Sequence, residues 1–343
     1  MNALSKLTGR SICILALVGL SLNATRAQTP TARIVSAAQT FLSTLDQNQQ
    51  QKVSFAFDDE KQRTRWSNFP IGVVPRGGVS LGELSSAQRA AAMALLSSAL
   101  SDRGFEKVQF IMEADEVLKI NEGNNPMFGQ DLYYISILGT PSEKDPWMLQ
   151  FGGHHLALNI TIFGDRGILT PSLTAAQPAL YTYNSSTVRP LGQENDKGFA
   201  LVNTFTKPQR KQAILNYQVA DLVLGPGQDG KTIQPEGLKA SAMNKLQRAM
   251  LLDLIAEWAG IVHESAAAAR LAEIKADLDE TWFAWSGPTT VTPGRNGASY
   301  YRIQGPKLVI EYAPQKQGGD PTLHVHTIYR DPTNDYGRRP TAK

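Results

Sequence analysis

Four of the chain's five histidines fall in two close pairs, His154 with His155 and His324 with His326. Imidazole changes charge near neutral pH and is a common ligand for zinc and copper. The segment Thr322 to Arg330 has the composition of a strand, on which residues two apart share a face. His324, His326, Ile328 and Arg330 therefore point one way, and Leu323, Val325, Thr327 and Tyr329 the other. The two preceding strands show the same parity. Lys307, Val309 and Glu311 oppose Leu308, Ile310 and Tyr312, while Tyr300, Arg302 and Gln304 oppose Tyr301 and Ile303. A symmetric meander across the loops sets Glu311 opposite His324 and Arg302 opposite Val309. One sheet face then gathers Arg302, Glu311, His324, His326 and Arg330.

The segment from His155 to Phe163 adds a third imidazole. His155 alternates with Ala157, Asn159 and Thr161, whereas His154 is in line with Leu156, Leu158, Ile160 and Ile162. Gly152-Gly153 could bulge and re-aim either ring, and His155 is the preferred member of the pair. His324 and His326, completed by His155, His154 or Glu311, form a candidate site for a divalent metal. Zinc suits it, or copper(II) if the geometry is tetragonal. A metal there could activate water for hydrolysis. The same rings could instead act as acid and base without metal, or simply satisfy a polar sheet face. His-x-His is far less specific than His-Glu-x-x-His.

Glu311, Arg302 and Arg330 are the candidate catalytic residues, and Trp285, Asn159 and Asp335 the candidate ligand-binding ones. Arg330 could clamp a carboxylate or phosphate, or bridge to Asp335 and fix the turn after the strand. Trp258, Trp282 and Trp285 are read first as core, although the turn after Trp285 could line a pocket. His263-Glu264 lacks a histidine four residues on and reads as a surface or helix-packing pair rather than a metal site.

The first 27 residues have the layout of a secretory signal peptide: Lys6 and Arg10, an apolar run from Ser11 to Leu22, then Thr25-Arg26-Ala27. The run is too short for an ordinary membrane span. Cleavage removes Lys6, Arg10 and Arg26 and no acidic residue, so the formal charge of +3 falls to zero. Basicity is then no argument for nucleic acid, and no stable membrane insertion is expected after cleavage. The single cysteine, Cys13, leaves too. A mature chain without cysteine excludes disulfides, thiol catalysis and cysteine-bound metal. Residues 28–343 are long enough for one large domain, or two intimately packed lobes. The periplasm or the extracellular space is the expected location, with a small-molecule ligand or substrate as partner.

Helices are expected at Thr31 to Leu45, at Ser85 to Leu100 with Ser85 and Gln88 as a capping box, and at Phe105 to Asn121. Two more are expected at Leu238 to Trp258 and Val262 to Leu278, and Pro208 marks the first turn of another. Strands are expected at Tyr133 to Leu138, Trp147 to Phe151, His155 to Phe163 and Ile168 to Leu173, before the three at the end. Gln177 to Asn203 resists assignment, and no internal repeat at a fixed period is apparent. The order argues for an α+β fold, an antiparallel sheet with a C-terminal three-stranded meander packed on several helices. No phosphate-binding glycine loop and no Gly-x-Ser-x-Gly elbow is present.

Several of these motifs together resemble the family catalogued as domain of unknown function 3500. They are Gly152 to Asn159, Trp282 to Gly287, Tyr301 to Pro306 with Ile310-Glu311-Tyr312, and His324 to Pro332 with Asn334 to Gly337. The resemblance spans roughly Ala32 to Gly337 and implies no activity. A metal-dependent hydrolase, a binding protein for a small anionic or sugar-like ligand, and a structural envelope protein all remain open on the sequence.

Overall fold

The computed structural model describes residues 28–183, 185–316 and 319–338, so the expected signal peptide and Cys13 lie outside the described residues. The first half runs α1 (Pro30–Thr44), α2 (Gln47–Val53), β1 (Ser54–Phe55), α3 (Glu60–Arg63), β2 (Val79–Ser80), α4 (Ser86–Ala99) and α5 (Asp102–Asn121). It ends in four strands, β3 (Tyr134–Leu138), β4 (Trp147–Gly153), β5 (Leu156–Phe163) and β6 (Arg166–Ala176). A small hairpin follows, β7 (Tyr181–Tyr183) with β8 (Ser186–Val188). The second half runs α6 (Gly192–Asn203), α7 (Lys207–Ala213), β9 (Leu238–Lys239), α8 (Lys245–Ala259) and α9 (Glu264–Ala276). It ends in β10 (Trp282–Ser286), β11 (Tyr300–Gly305), β12 (Leu308–Pro314) and β13 (Val325–Arg330).

Eleven strands form one sheet in the order β1-β3-β4-β5-β6-β13-β12-β11-β10-β9, with β2 pairing β3. The fold is α+β and mostly antiparallel, with the expected C-terminal meander extended by β10. Helices cover one face. Ile34, Phe41, Leu95, Leu96 and Ile111 pack on Ile135, Leu149 and Leu158. Leu251, Leu254 and Trp258 pack on Phe283, Tyr301, Ile310 and Tyr329 of the same face. Irregular chain covers the other face, where Trp66 and Tyr336, with partly buried Phe57 and Leu222, meet Leu138, Met148, Leu173, Ala175 and Ile328. Both faces are thus buried, so the histidine face is not a solvated one.

Three stretches depart from the expected elements. The polar segment after Leu45 is helical because Asp46 and Gln49 cap it reciprocally. Leu238 to Trp258 is not one helix: Leu238-Lys239 pairs with β10, and the helix starts only after the Asn244 cap. Gln177 to Asn203 holds the small hairpin and α6.

The second half repeats the plan of the first. Ser85 with Gln88 and Asn244 with Gln247 form matching capping boxes before α4 and α8. Gln88 Nε2 donates to Thr44 O and Gln49 Oε1, and Gln247 Nε2 to Thr204 O and Gln209 Oε1. Ser54 lies parallel to Ile137 in β3, as Ile214 does to Trp285 in β10. The β4–β5 turn closes on Gly153 and Leu156, the β11–β12 turn on Gly305 and Leu308. These matches make Ser172 the counterpart of Tyr329, and the two pair with each other where β6 meets β13. A local two-fold axis therefore passes through the middle of the sheet. Matched residues lie 160 positions apart at Thr44 and Thr204, 148 at Gly139 and Gly287, and 157 at Ser172 and Tyr329. Loop lengths shift the spacing, so a repeat exists without a fixed period.

Gly78 (φ 100°) and Gly237 (φ 97°) are one such matched pair. A Cβ on either would sit 2.2 Å from a backbone oxygen, of Ile135 and of Phe283 respectively. Gly78→Ala and Gly237→Ala should each destabilise the protein by roughly 1–3 kcal/mol, combining positive φ with a backbone clash. Urea unfolding of the two variants measures both costs, and similar values for the two are expected.

Candidate metal centre

The site lies where the two halves join. His154 and His155 form the two-residue turn between β4 and β5, not the start of a strand. His155 has φ 62°, a left-handed conformation uncommon for any residue but glycine. Its N–H donates to Asn68 O at 3.3 Å, and its carbonyl accepts from Ala175 N–H at 2.8 Å. Ala175 in β6 is also the register partner of His326 in β13. His155, Ala175 and His326 thus stand in a row across the sheet, and the small alanine lets the two outer rings meet above it. Ala313, on the other side of His326, is small as well.

His324 lies just before β13 and completes the set. Its Nε2 is 3.1 Å from His155 Nε2 and 3.0 Å from His326 Nε2. His155 and His326 are buried and His324 is partly exposed. The three ring nitrogens lie within 4.8 Å of one another, and these residues could hold a metal ion. Burial, then the neighbouring imidazoles His154, His326 and His324, holds the His155 pKa well below the usual histidine value.

Two of the three rings, His326 and His155, are buttressed from behind. His326 Nδ1 is 3.2 Å from Asp221 Oδ1, and Gln315 Nε2 donates to the same oxygen at 2.8 Å. Burial disfavours the Asp221 carboxylate, but its hydrogen bonds with His326, Leu222 N–H and Gln315 outweigh that and hold its pKa below the ordinary range. His154 stacks on His155 with ring centroids 3.7 Å apart. Its Nδ1 is 2.6 Å from Asp115 Oδ1, away from the triad.

The expected register is displaced: Glu311 pairs with Ile328, not His324, and Arg302 with Glu311, not Val309. Both displacements are even, so each residue keeps its expected face while changing neighbours. Glu311 accepts from Tyr300 Oη at 2.6 Å and from the N–H groups of Val223 and Leu224 at 2.9 and 2.7 Å. Burial raises its pKa, with these hydrogen bonds opposing. Arg302 pairs with Glu236 at 2.8 Å. Arg330 bonds Leu224 O, Gly225 O and Asp229, and bridges to Asp335 at 2.8 Å. These three polar residues fasten the segment between α7 and β9 to the sheet, and that segment delivers Asp221.

The candidate ligand-binding residues are dispersed. Trp285 is fully buried on the opposite, helix-covered face, stacked on Tyr301. Asn159 accepts from Gln150 Nε2 and donates to Pro171 O, lining a small cavity of about 20 Å³ with Gln62 and Ser136. Asp335 serves the Arg330 turn. Sequence reasoning missed Asp221 and Asn68, which lie in irregular segments where neither parity nor helical spacing applies, and Asp115, which α5 buries among Ile111, Met112 and Leu118 on a face read only as core. His263 precedes α9 and is buried, in keeping with a packing role.

A family model described as "Protein of unknown function (DUF3500)" matches residues 27–338, and the chain belongs to that family. No curated protein and no solved structure matches the chain.

Burial holds the His263 pKa below its ordinary value, with Glu264 opposing, and its Nε2 has no hydrogen-bond partner. The unfolded chain then binds more protons than the folded one below about pH 6.5. Stability contributed by neutral His263 should be complete above that pH and fall as pH drops through it, by at most about 1.4 kcal/mol per unit. Urea titrations from pH 7.5 to 5 should show the slope shrink in His263→Gln.

Proposed function

We propose that His155, His324 and His326 hold one divalent metal ion, zinc or copper(II), and that the protein is an exported metal-dependent hydrolase. The convergence of three Nε2 atoms carries this reading. Asp221 only accepts hydrogen bonds, so His326 presents N–H at Nδ1 and, as a neutral ring, a lone pair at Nε2. His324 Nε2 faces that lone pair and a second ring nitrogen at once. One nitrogen cannot satisfy both contacts with the single proton of a neutral imidazole. A cation accepting all three lone pairs removes the conflict. Tetrahedral bonds of 2.0–2.1 Å place ligand nitrogens roughly 3.3 Å apart, close to the 3.0 and 3.1 Å observed.

Three histidines with a fourth position open is the ligand count of catalytic rather than structural zinc. No fourth histidine, cysteine or carboxylate joins the cluster among the described residues. Bound metal would supply Lewis acidity and an activated water. The chain's own contribution is orientation: Asp221 fixes the tautomer and ring plane of His326, and the Asp115–His154 pair supports the turn bearing His155. Export rests on the charged, apolar and small-residue order of residues 1–27.

Protein produced without a histidine tag in zinc- and copper-supplemented medium should contain about one ion per chain by elemental analysis. His324→Ala/His326→Ala should lose at least nine-tenths of it. Ala175→Leu, which keeps every ligand but fills the space between His155 and His326, should weaken retention against a chelator at least tenfold while circular dichroism stays native. A metal-free wild type under these conditions would exclude the reading.

A further inference from the structure

The described chain exposes eight large hydrophobic side chains, and three of them, Phe69 (50 %), Val73 (58 %) and Met127 (38 %), sit on two segments that grip the histidine turn. The first segment is held by Arg76, whose Nη2 donates to Ser67 O at 2.7 Å, Phe69 O at 2.6 Å and Gly153 O at 2.9 Å. Asn68, next to Phe69, accepts the His155 N–H. In the second segment Phe128, next to Met127, packs on His154 with ring centroids 5.0 Å apart. Gly129 N–H bonds Asp115 Oδ2 at 2.9 Å, and the other oxygen of that carboxylate holds His154. The segments also meet each other: a Cβ on Gly72 would lie 3.7 Å from Met127 Cε. Val223, 38 % exposed, follows Asp221 by two residues on a third side.

Apolar side chains held in water by a half-buried arginine and a buried aspartate are not the tips of free loops. Clustered exposure of this kind next to a polar centre marks a place where an apolar group is received. We propose that Phe69, Val73 and Met127 form an apolar lip that receives the hydrophobic part of the substrate. The substrate class is then an uncharged carboxylic ester or amide bearing an alkyl or aryl group. Hydrolysis needs water alone as co-reactant: its hydroxyl goes to the carbonyl carbon, the C–O or C–N bond breaks, and its remaining proton goes to the departing alcohol or amine. This substrate assignment rests on the metal reading above.

Acetohydroxamate and octanohydroxamate share a metal-binding head and differ in tail, so their calorimetric binding to zinc-loaded protein separates head from lip. Octanohydroxamate should bind wild type at least about tenfold tighter, as expected for burying two or more methylene groups. In Phe69→Ser/Val73→Ser/Met127→Ser the preference should fall below threefold, with zinc content and acetohydroxamate affinity unchanged. Equal affinities in wild type, or a preference retained in the variant, would overturn the lip alone. Absence of zinc and of acetohydroxamate binding would remove the metal reading and the lip with it.

Discussion

The pairing of β6 with β13 is the contact on which the rest of the molecule depends. It joins two halves of the same plan into one sheet, and it is antiparallel about Ser172 and Tyr329, which are each other's counterparts. Without it neither half has a histidine centre. His155 comes from a turn in the first half, and His324 and His326 from the last strand of the second. The spacing of two strands separates the backbones of His155 and His326, and only a small residue between them lets imidazoles of ordinary length touch. Ala175 is that residue, so the sheet junction and the site are one packing problem.

Divergence between halves related by the local two-fold axis explains why the histidine cluster appears once. The counterparts of His154 and His155 in the β11–β12 turn are Pro306 and Lys307. Around that turn Arg270 bonds Lys307 O and Tyr329 Oη and pairs with Asp331 at 2.9 Å. The same divergence runs through the face beneath the covering segments. Gln150 and Asn159 in the first half, joined by a neutral amide hydrogen bond, correspond to Arg302 and Glu311 in the second. Equivalent backbone positions have become a neutral lattice on one side and a charged one on the other. A symmetric scaffold thus carries an asymmetric centre.

Much of this was legible in the sequence where a simple period governs the chain. Strand parity placed His324 and His326 together, and parity survives any even error in register, which is why Glu311 kept its face while losing its expected partner. His155 and not His154 joins His324 and His326, for a reason that strand parity does not supply. Neither ring is on a strand, and the left-handed φ of His155 turns it toward β13 and leaves His154 to Asp115. Capping boxes at Ser85 and Gln88 were readable because their geometry is local. The repeat was hidden because matched residues recur at 160, then 148, then 157 positions. Contacts between irregular chain and sheet, such as Asp221 with His326, obey no period at all.

The covering segment between α7 and β9 shows what the other polar candidates do. Arg302, Glu311 and Arg330 project from the histidine face, and each would be costly there if left alone, since an unpaired buried charge is strongly disfavoured. They are paired with Glu236, with two backbone N–H groups, and with two backbone carbonyls together with Asp229 and Asp335. Nearly every one of those partners lies on the covering segment, so burying the charges fixes where that segment runs. Asp221 is then positioned by interactions several residues away from it, and its carboxylate reaches His326 Nδ1 while staying about half exposed. The charges nearest the centre therefore act on it indirectly: they hold the segment whose carboxylate holds the ring.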